Sequence, residues 1–118
     1  MLLLAGSMAL AACASRTTTG TVLHAGESAT IRLTGSPIRF EIANIGQQPL
    51  GYTLTVDNVE ESQGLVGPGG RVAESRNADE ILVTITNPGP GLAHASVETR
   101  SRHGMEFRQP PSQATPGS

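Results

Sequence analysis

Apolar and polar residues alternate along much of this chain, and that alternation restricts it to extended strands. In Ile38-Arg39-Phe40-Glu41-Ile42, three apolar side chains share one face and two charges share the other. This is the period-2 pattern of a strand with one buried and one wetted face. Leu50, Tyr52, Leu54 and Val56 repeat the pattern with Thr53 and Thr55 between them, and Ile81, Val83 and Ile85 repeat it again. Leu82 breaks the polar face of the last run, which predicts burial on both sides there. Weaker strand candidates are residues 21–24, 29–33, part of 65–74, and 93–99. No segment carries a convincing helical period.

Turn signals separate these runs: Ala25-Gly26-Glu27, Thr34-Gly35-Ser36-Pro37, Asn44-Ile45-Gly46, Gly67-Pro68-Gly69-Gly70 and Asn87-Pro88-Gly89-Pro90-Gly91. Pro88 and Gly89 suit the central positions of a type II turn, where proline presets φ and glycine accepts a positive one. About seven short strands at this spacing predict an all-β fold, a small antiparallel β-sandwich of the Ig-like or a related Greek-key kind. With 37% hydrophobic but only 3% aromatic residues, the core must be filled by Val, Ile, Leu and Ala, which suit a pleated surface. A chain of 118 residues has room for one domain with a thin core and no large internal cavity.

The ends read differently from the middle. Residues 13–19 include the polar stretch Ser-Arg-Thr-Thr-Thr and are expected to form a tether. Residues 108–118 are rich in Pro, Ser, Gln and Gly, a composition that cannot bury enough apolar area to offset ordering entropy. A disordered tail is expected there, leaving residues 20–107 as the β-sandwich domain.

At the N-terminus, Leu2 to Leu10 form an uncharged apolar run followed by Ala11, Ala12 and Cys13. The run is too short for a membrane-spanning helix, which needs about 20 residues, and it fits the apolar core of a secretory signal peptide over residues 1–12. Leu10-Ala11-Ala12-Cys13 resembles the lipobox of bacterial lipoproteins. That resemblance implies cleavage between Ala12 and Cys13 and lipidation of the Cys13 thiol, which tethers the chain to a membrane. Small residues let a peptidase reach the scissile bond, and only a thiol accepts the thioether. Cys13 is the sole cysteine, so no intramolecular disulfide competes for it. No Lys or Arg precedes the apolar run, a departure from the positive start of signal peptides, which points to a true start upstream of Met1. Ala14 and Ser15 lack the Asp that, by the same resemblance, marks inner-membrane retention. The outer membrane, facing the periplasm, is therefore the expected address in a Gram-negative cell.

Charge narrows the partners. Eight Arg and no Lys stand against ten acidic residues, a formal net charge of −2 with no basic run, so nucleic acid is not an expected partner. His24, His94 and His103 are the only histidines; a metal or small-ligand site built on them would require convergence that their spacing does not support. Glu60-Glu61 with Asp57 lacks the calcium-loop pattern and reads as a solvated loop. Glu74, Asp79 and Glu80 read as an acidic turn that aids solubility and blocks edge pairing. Gly64-Leu65-Val66-Gly67-Pro68-Gly69-Gly70 lacks the Lys-Ser/Thr ending of a phosphate loop and reads as a turn. No Gly-x-Ser-x-Gly elbow presents a nucleophile, and Phe40, Tyr52 and Phe107 are too sparse for a stacking platform.

One internal similarity stands out: the nine residues from Ile38 match the nine from Ile81 at four positions, Ile, Ile, Asn and Gly. A duplicated hairpin would produce it. So would the generic preference of turns for Asn and Gly, and we read it that way. The expected function is that of a membrane-anchored envelope lipoprotein with a non-catalytic interaction or structural module, an envelope protein as partner, and no cofactor. The alternative is a module that binds a metal or small ligand through its histidines.

Overall fold

The computed structural model describes residues 15–109. The signal-peptide segment 1–12, Cys13 and most of the expected tail lie outside the described residues. Nine strands run through the rest: β1 (Ser15–Leu23), β2 (Ser28–Thr34), β3 (Ile38–Asn44), β4 (Leu50–Val56), β5 (Val59–Val66), β6 (Arg71–Arg76), β7 (Glu80–Thr86), β8 (Ala93–Ser101) and β9 (Met105–Arg108). They form two antiparallel sheets, one ordered β1-β8-β3-β6 and the other β5-β4-β7-β2-β9.

The pairing is nested. β4 pairs with β5, β3 with β6, β2 with β7 and β1 with β8, as though one long hairpin had been rolled into two layers. Among the first eight strands, only the β4–β5 connection stays within a sheet. Eight strands in this order make a jelly roll, a sandwich of two Greek keys. Of the Greek-key expectations, it is this form rather than the Ig-like one. β9 extends the second sheet beside β2.

The alternation seen in the sequence fills the space between the layers. Leu23, Ile31, Leu33, Ile38, Phe40, Ile42, Leu50, Leu54, Ile81 and Ile85 are completely or almost completely buried. Tyr52, Val56, Val72, Met105 and Phe107 pack around them. Phe40 is the largest fully buried side chain, and its removal would leave a cavity of the kind that costs about 3–5 kcal/mol.

Nine strands instead of about seven require four local corrections. The Ser15–Gly20 stretch, expected as a tether, is the first part of β1 and pairs residue for residue with β8. Its β-branched threonines favour extended backbone, but without apolar partners they leave no period to read. Glu60 and Glu61, expected in a solvated loop, lie within β5, an edge strand bonded on one side to β4. An edge strand exposed on its outer face needs no apolar alternation. Arg108, assigned to the tail, ends β9. Gln109 follows it and returns to β1, accepting from Thr21 Oγ1 at 2.8 Å and donating to the Val22 carbonyl at 2.8 Å. The ordered unit thus exceeds residues 20–107 at both ends.

The fourth correction concerns Pro88-Gly89. Positive φ among the glycines occurs at Gly26, Gly35, Gly69 and Gly104, not at Gly89, so no type II turn forms there. A side chain fixes this corner instead. By contrast, Asp57 and Asn58 both take positive φ, 46° and 69°, as the two central residues of a type I′ hairpin between β4 and β5.

Candidate interaction surface

Strand direction gives the sandwich two unlike ends. β1 enters at one end, which also carries the β2–β3, β4–β5, β6–β7 and β8–β9 connections. The other end, distal to the N-terminus, carries the β1–β2, β3–β4, β5–β6 and β7–β8 connections.

Two buried asparagines build the distal end. Asn44 Nδ2 donates to the carbonyls of Gln48 and Val66, both at 2.9 Å, and its Oδ1 accepts from Gly46 N at 3.0 Å. Asn87 Nδ2 donates to the carbonyls of Leu23 at 2.9 Å and Gly91 at 2.6 Å, and its Oδ1 accepts from Gly89 N at 3.1 Å. The backbone repeats the match. Asn44 exchanges main-chain bonds with Gly69 and Gly70, and Asn87 does the same with Gly26 and Glu27. Each asparagine thus closes its own loop and clamps the turn that follows an opposing strand.

Adding 43 to Leu23, Gly26, Asn44, Gly46 and Gln48 gives Val66, Gly69, Asn87, Gly89 and Gly91. The four-of-nine similarity between the segments from Ile38 and Ile81 therefore marks equivalent positions in two structural halves, which the generic-hairpin reading missed. A fixed offset in the sequence was the available signal. A Cβ at Gly89 would lie 1.7 Å from Gln48 Nε2, so the end of that side chain would have to move aside.

Four large apolar side chains are exposed toward this end. Val22, Ile45, Leu65 and Leu92 are 42%, 65%, 70% and 49% exposed, and of the large exposed hydrophobics among the described residues only Val59 lies at the other end. Val22 is paired with His94, and Ile45 N bonds to the His94 carbonyl. Val22, His94 and Ile45 thus form one row across β1, β8 and the end of β3. A shallow groove of about 460 Å³ beside Asn44, Ile45, Gln47 and Pro68 opens between the β3–β4 and β5–β6 loops.

The two outer faces are polar in different ways. On the five-stranded sheet, Thr30, Thr53, Thr55, Thr84 and Thr86 are half-buried, with Ser28 and Thr86 hydroxyls 3.0 Å apart. Arg32 pairs with Glu80 and Glu106; the hydrogen bond that its Nε donates to the Glu80 carboxylate holds its guanidinium pKa above the ordinary arginine value. On the four-stranded sheet, edge-strand arginines neutralise central-strand glutamates: Arg16 pairs with Glu98, and Arg71 with Glu41 at 2.6 Å. Exposed pairs of this kind contribute little stability.

The histidines do not converge. His24 lies in the β1–β2 turn and His94 near the start of β8, both at the distal end, whereas His103 lies beyond the end of β8. Its backbone N bonds to Thr34 O. Nine residues of β8 at about 3.3 Å each separate these ends by more than 20 Å, which removes the geometric basis for a site shared by all three. Among the described residues, no group of three or more His, Cys, Asp or Glu side chains is placed to hold a metal ion. Asp57 Oδ1 is occupied as a backbone acceptor, from Asp79 N at 3.1 Å and Glu80 N at 3.0 Å. The Gly67–Gly70 turn is the one clamped by Asn44. No helix among the described residues is long and apolar enough to cross a membrane.

No family model and no curated protein matches the chain. Solved structures match by shape. A de novo designed double-stranded β-helix aligns with a TM-score of 0.55 at 13% identity, over 70% of this chain and 97% of its own. The Yersinia pseudotuberculosis-derived mitogen aligns at 0.58 and 9% identity, over 78% and 90%. Procruciferin, an 11S globulin from Brassica napus, aligns at 0.54 and 8% identity over 80% of this chain but only 22% of its own. Proteins this different in kind share the rolled two-sheet architecture with the chain, and at such identities the likeness is one of fold alone.

Proposed function

We propose that the protein is a membrane-anchored lipoprotein of the bacterial envelope whose jelly-roll domain is a non-catalytic interaction module. The observation that carries this reading is positional. Cys13 of the Leu10-Ala11-Ala12-Cys13 segment precedes Ser15, the first residue of β1, by two positions in the sequence, and Ser15 stands at the end opposite the exposed Val22, Ile45, Leu65 and Leu92. A lipid on Cys13 holds one end at the bilayer and presents the apolar end to a partner in the adjacent compartment. Exposed apolar side chains held near rigid corners offer contacts to another protein. The packed interior supports the same reading, since aliphatic side chains fill the space between the sheets. With two or more acyl chains, each buried CH₂ contributing about 0.8 kcal/mol, such an anchor is durable.

Intact mass and detergent-phase partitioning of protein expressed in a bacterial host, beside a Cys13→Ser variant, test the anchor. The wild type is expected in the detergent phase with acyl mass on Cys13, and the variant in the aqueous phase without it. Wild-type protein of unmodified mass in the aqueous phase would overturn the reading.

A further inference from the structure

Register places three arginines side by side on the outer face of the four-stranded sheet. Arg16 of β1 is opposite Arg100 of β8, and Arg100 is opposite Arg39 of β3. Like charges directly opposed across strands disfavour the folded sheet, so the row needs an anionic counterpart. Arg16 has one in Glu98. Among the described residues, Arg39 and Arg100 form no salt bridge, because the carboxylates of Glu98 and Glu41 are engaged by Arg16 and Arg71. The outward positions of β1, β8, β3 and β6 carry four arginines, Arg16, Arg39, Arg71 and Arg100, against two glutamates, Glu41 and Glu98. That face is therefore positive on a chain of net charge −2. The acidic groups toward the same end lie off that face: Asp57, Glu60, Glu61, Glu80 and Glu106 belong to the five-stranded sheet and its β4–β5 turn, Asp79 to the β6–β7 connection, and Glu74 to the inward side of β6. Of these, Glu61 and Glu74 are paired to Arg76, and Glu80 and Glu106 to Arg32.

We propose that the Arg16–Arg100–Arg39 row docks on the anionic headgroups of the bilayer to which Cys13 is anchored. This rests on the lipoprotein reading for its geometry. Arg16 is three positions after Cys13, a reach of about 10 Å when extended. That is close to the screening length of about 8 Å at physiological ionic strength, so an anchor at Cys13 keeps the row within the field of the membrane surface. Guanidinium groups suit phosphate oxygens through paired N–H donors. Docking tilts the arginine end of the four-stranded sheet onto the bilayer and leaves the apolar end free.

The test uses the full-length Cys13→Ser chain, without acylation, in flotation with phosphatidylcholine vesicles and with vesicles of phosphatidylcholine and phosphatidylglycerol. Binding is expected only to the anionic vesicles, lost at high salt, and reduced roughly fivefold by each of Arg39→Gln and Arg100→Gln. Unchanged melting of both variants would confirm that folding is not the cause. Equal binding to neutral vesicles, no binding to either, or full binding by the double variant would overturn the proposal. Because acylation plays no part here, a failure of the Cys13 anchor would appear only in the partitioning experiment.

Discussion

The two ends of the sandwich solve the same problem, joining strands across two sheets, with different chemistry. At the distal end, buried Asn44 and Asn87 each satisfy two backbone carbonyls and one N–H with a single amide. At the N-terminal end, the β2–β3 and β8–β9 connections meet backbone to backbone. Arg102 N bonds to Gly35 O, and His103 N to Thr34 O. Gly35 has a φ of +92°, with Arg102 Cβ only 2.8 Å from where its own Cβ would stand. The asparagine end commits side-chain amides to holding its loops, so its apolar residues stand on a fixed base. At the N-terminal end the Asp57 carboxylate accepts from Asp79 N and Glu80 N, and among the described residues Arg39 and Arg100 form no ion pair, which leaves them available to charge.

The largest expected effect separates the ends by stability. Asn87→Ala leaves the Leu23 and Gly91 carbonyls and Gly89 N without their partner, and unsatisfied buried groups cost about 1–3 kcal/mol each. A loss of about 3 kcal/mol is expected for Asn87→Ala and a similar loss for Asn44→Ala, measured by urea unfolding. Asn87→Asp should cost at least as much despite its shape, because it replaces two donors with acceptors facing carbonyls. Equal stability of the Asp variant would show that the amide donors do not hold the corner.

Gly35→Ala comes next, with about 1–3 kcal/mol expected from strained backbone and the close approach of Arg102. If it proves neutral, the N-terminal end is more pliant than the contrast requires. Ile45→Ser and Leu65→Ser should change stability by less than about 0.5 kcal/mol, since both side chains are largely in water already. A large loss would mean that these residues support the loops and are not free to meet a partner. Smallest of all, Arg39→Gln and Arg100→Gln should be neutral or slightly stabilising in melting experiments, because each relieves repulsion within the row.

The strands with one wet face, β3, β4 and β7, were legible from alternation alone, and with them the two-layer class of fold. β9 and most of β1 and β5 were not. Each is an edge strand, bonded on one side, so its backbone pairing places little demand on side-chain period. Thr17 to Thr19 and Glu60-Glu61 hide strands behind polar residues. The arginine row was equally hidden, since Arg16, Arg39 and Arg100 are far apart in sequence and only register brings them together. The asparagine corners were half visible. The repeated Asn-x-Gly was in view, but its meaning depended on Leu23 and Val66, the strand ends that each amide reaches. The resemblance of Leu10-Ala11-Ala12-Cys13 to a lipobox was visible from local chemistry, and its test lies in solution.

Hydrogen exchange of the acylated protein, compared between anionic vesicles and detergent, tests the two-ended account most directly. The account predicts added protection in residues 36–41 and 98–103 on vesicles, with residues 45–49 and 64–70 exchanging as they do in detergent. Protection concentrated on the distal loops, or no difference at either end, would contradict it.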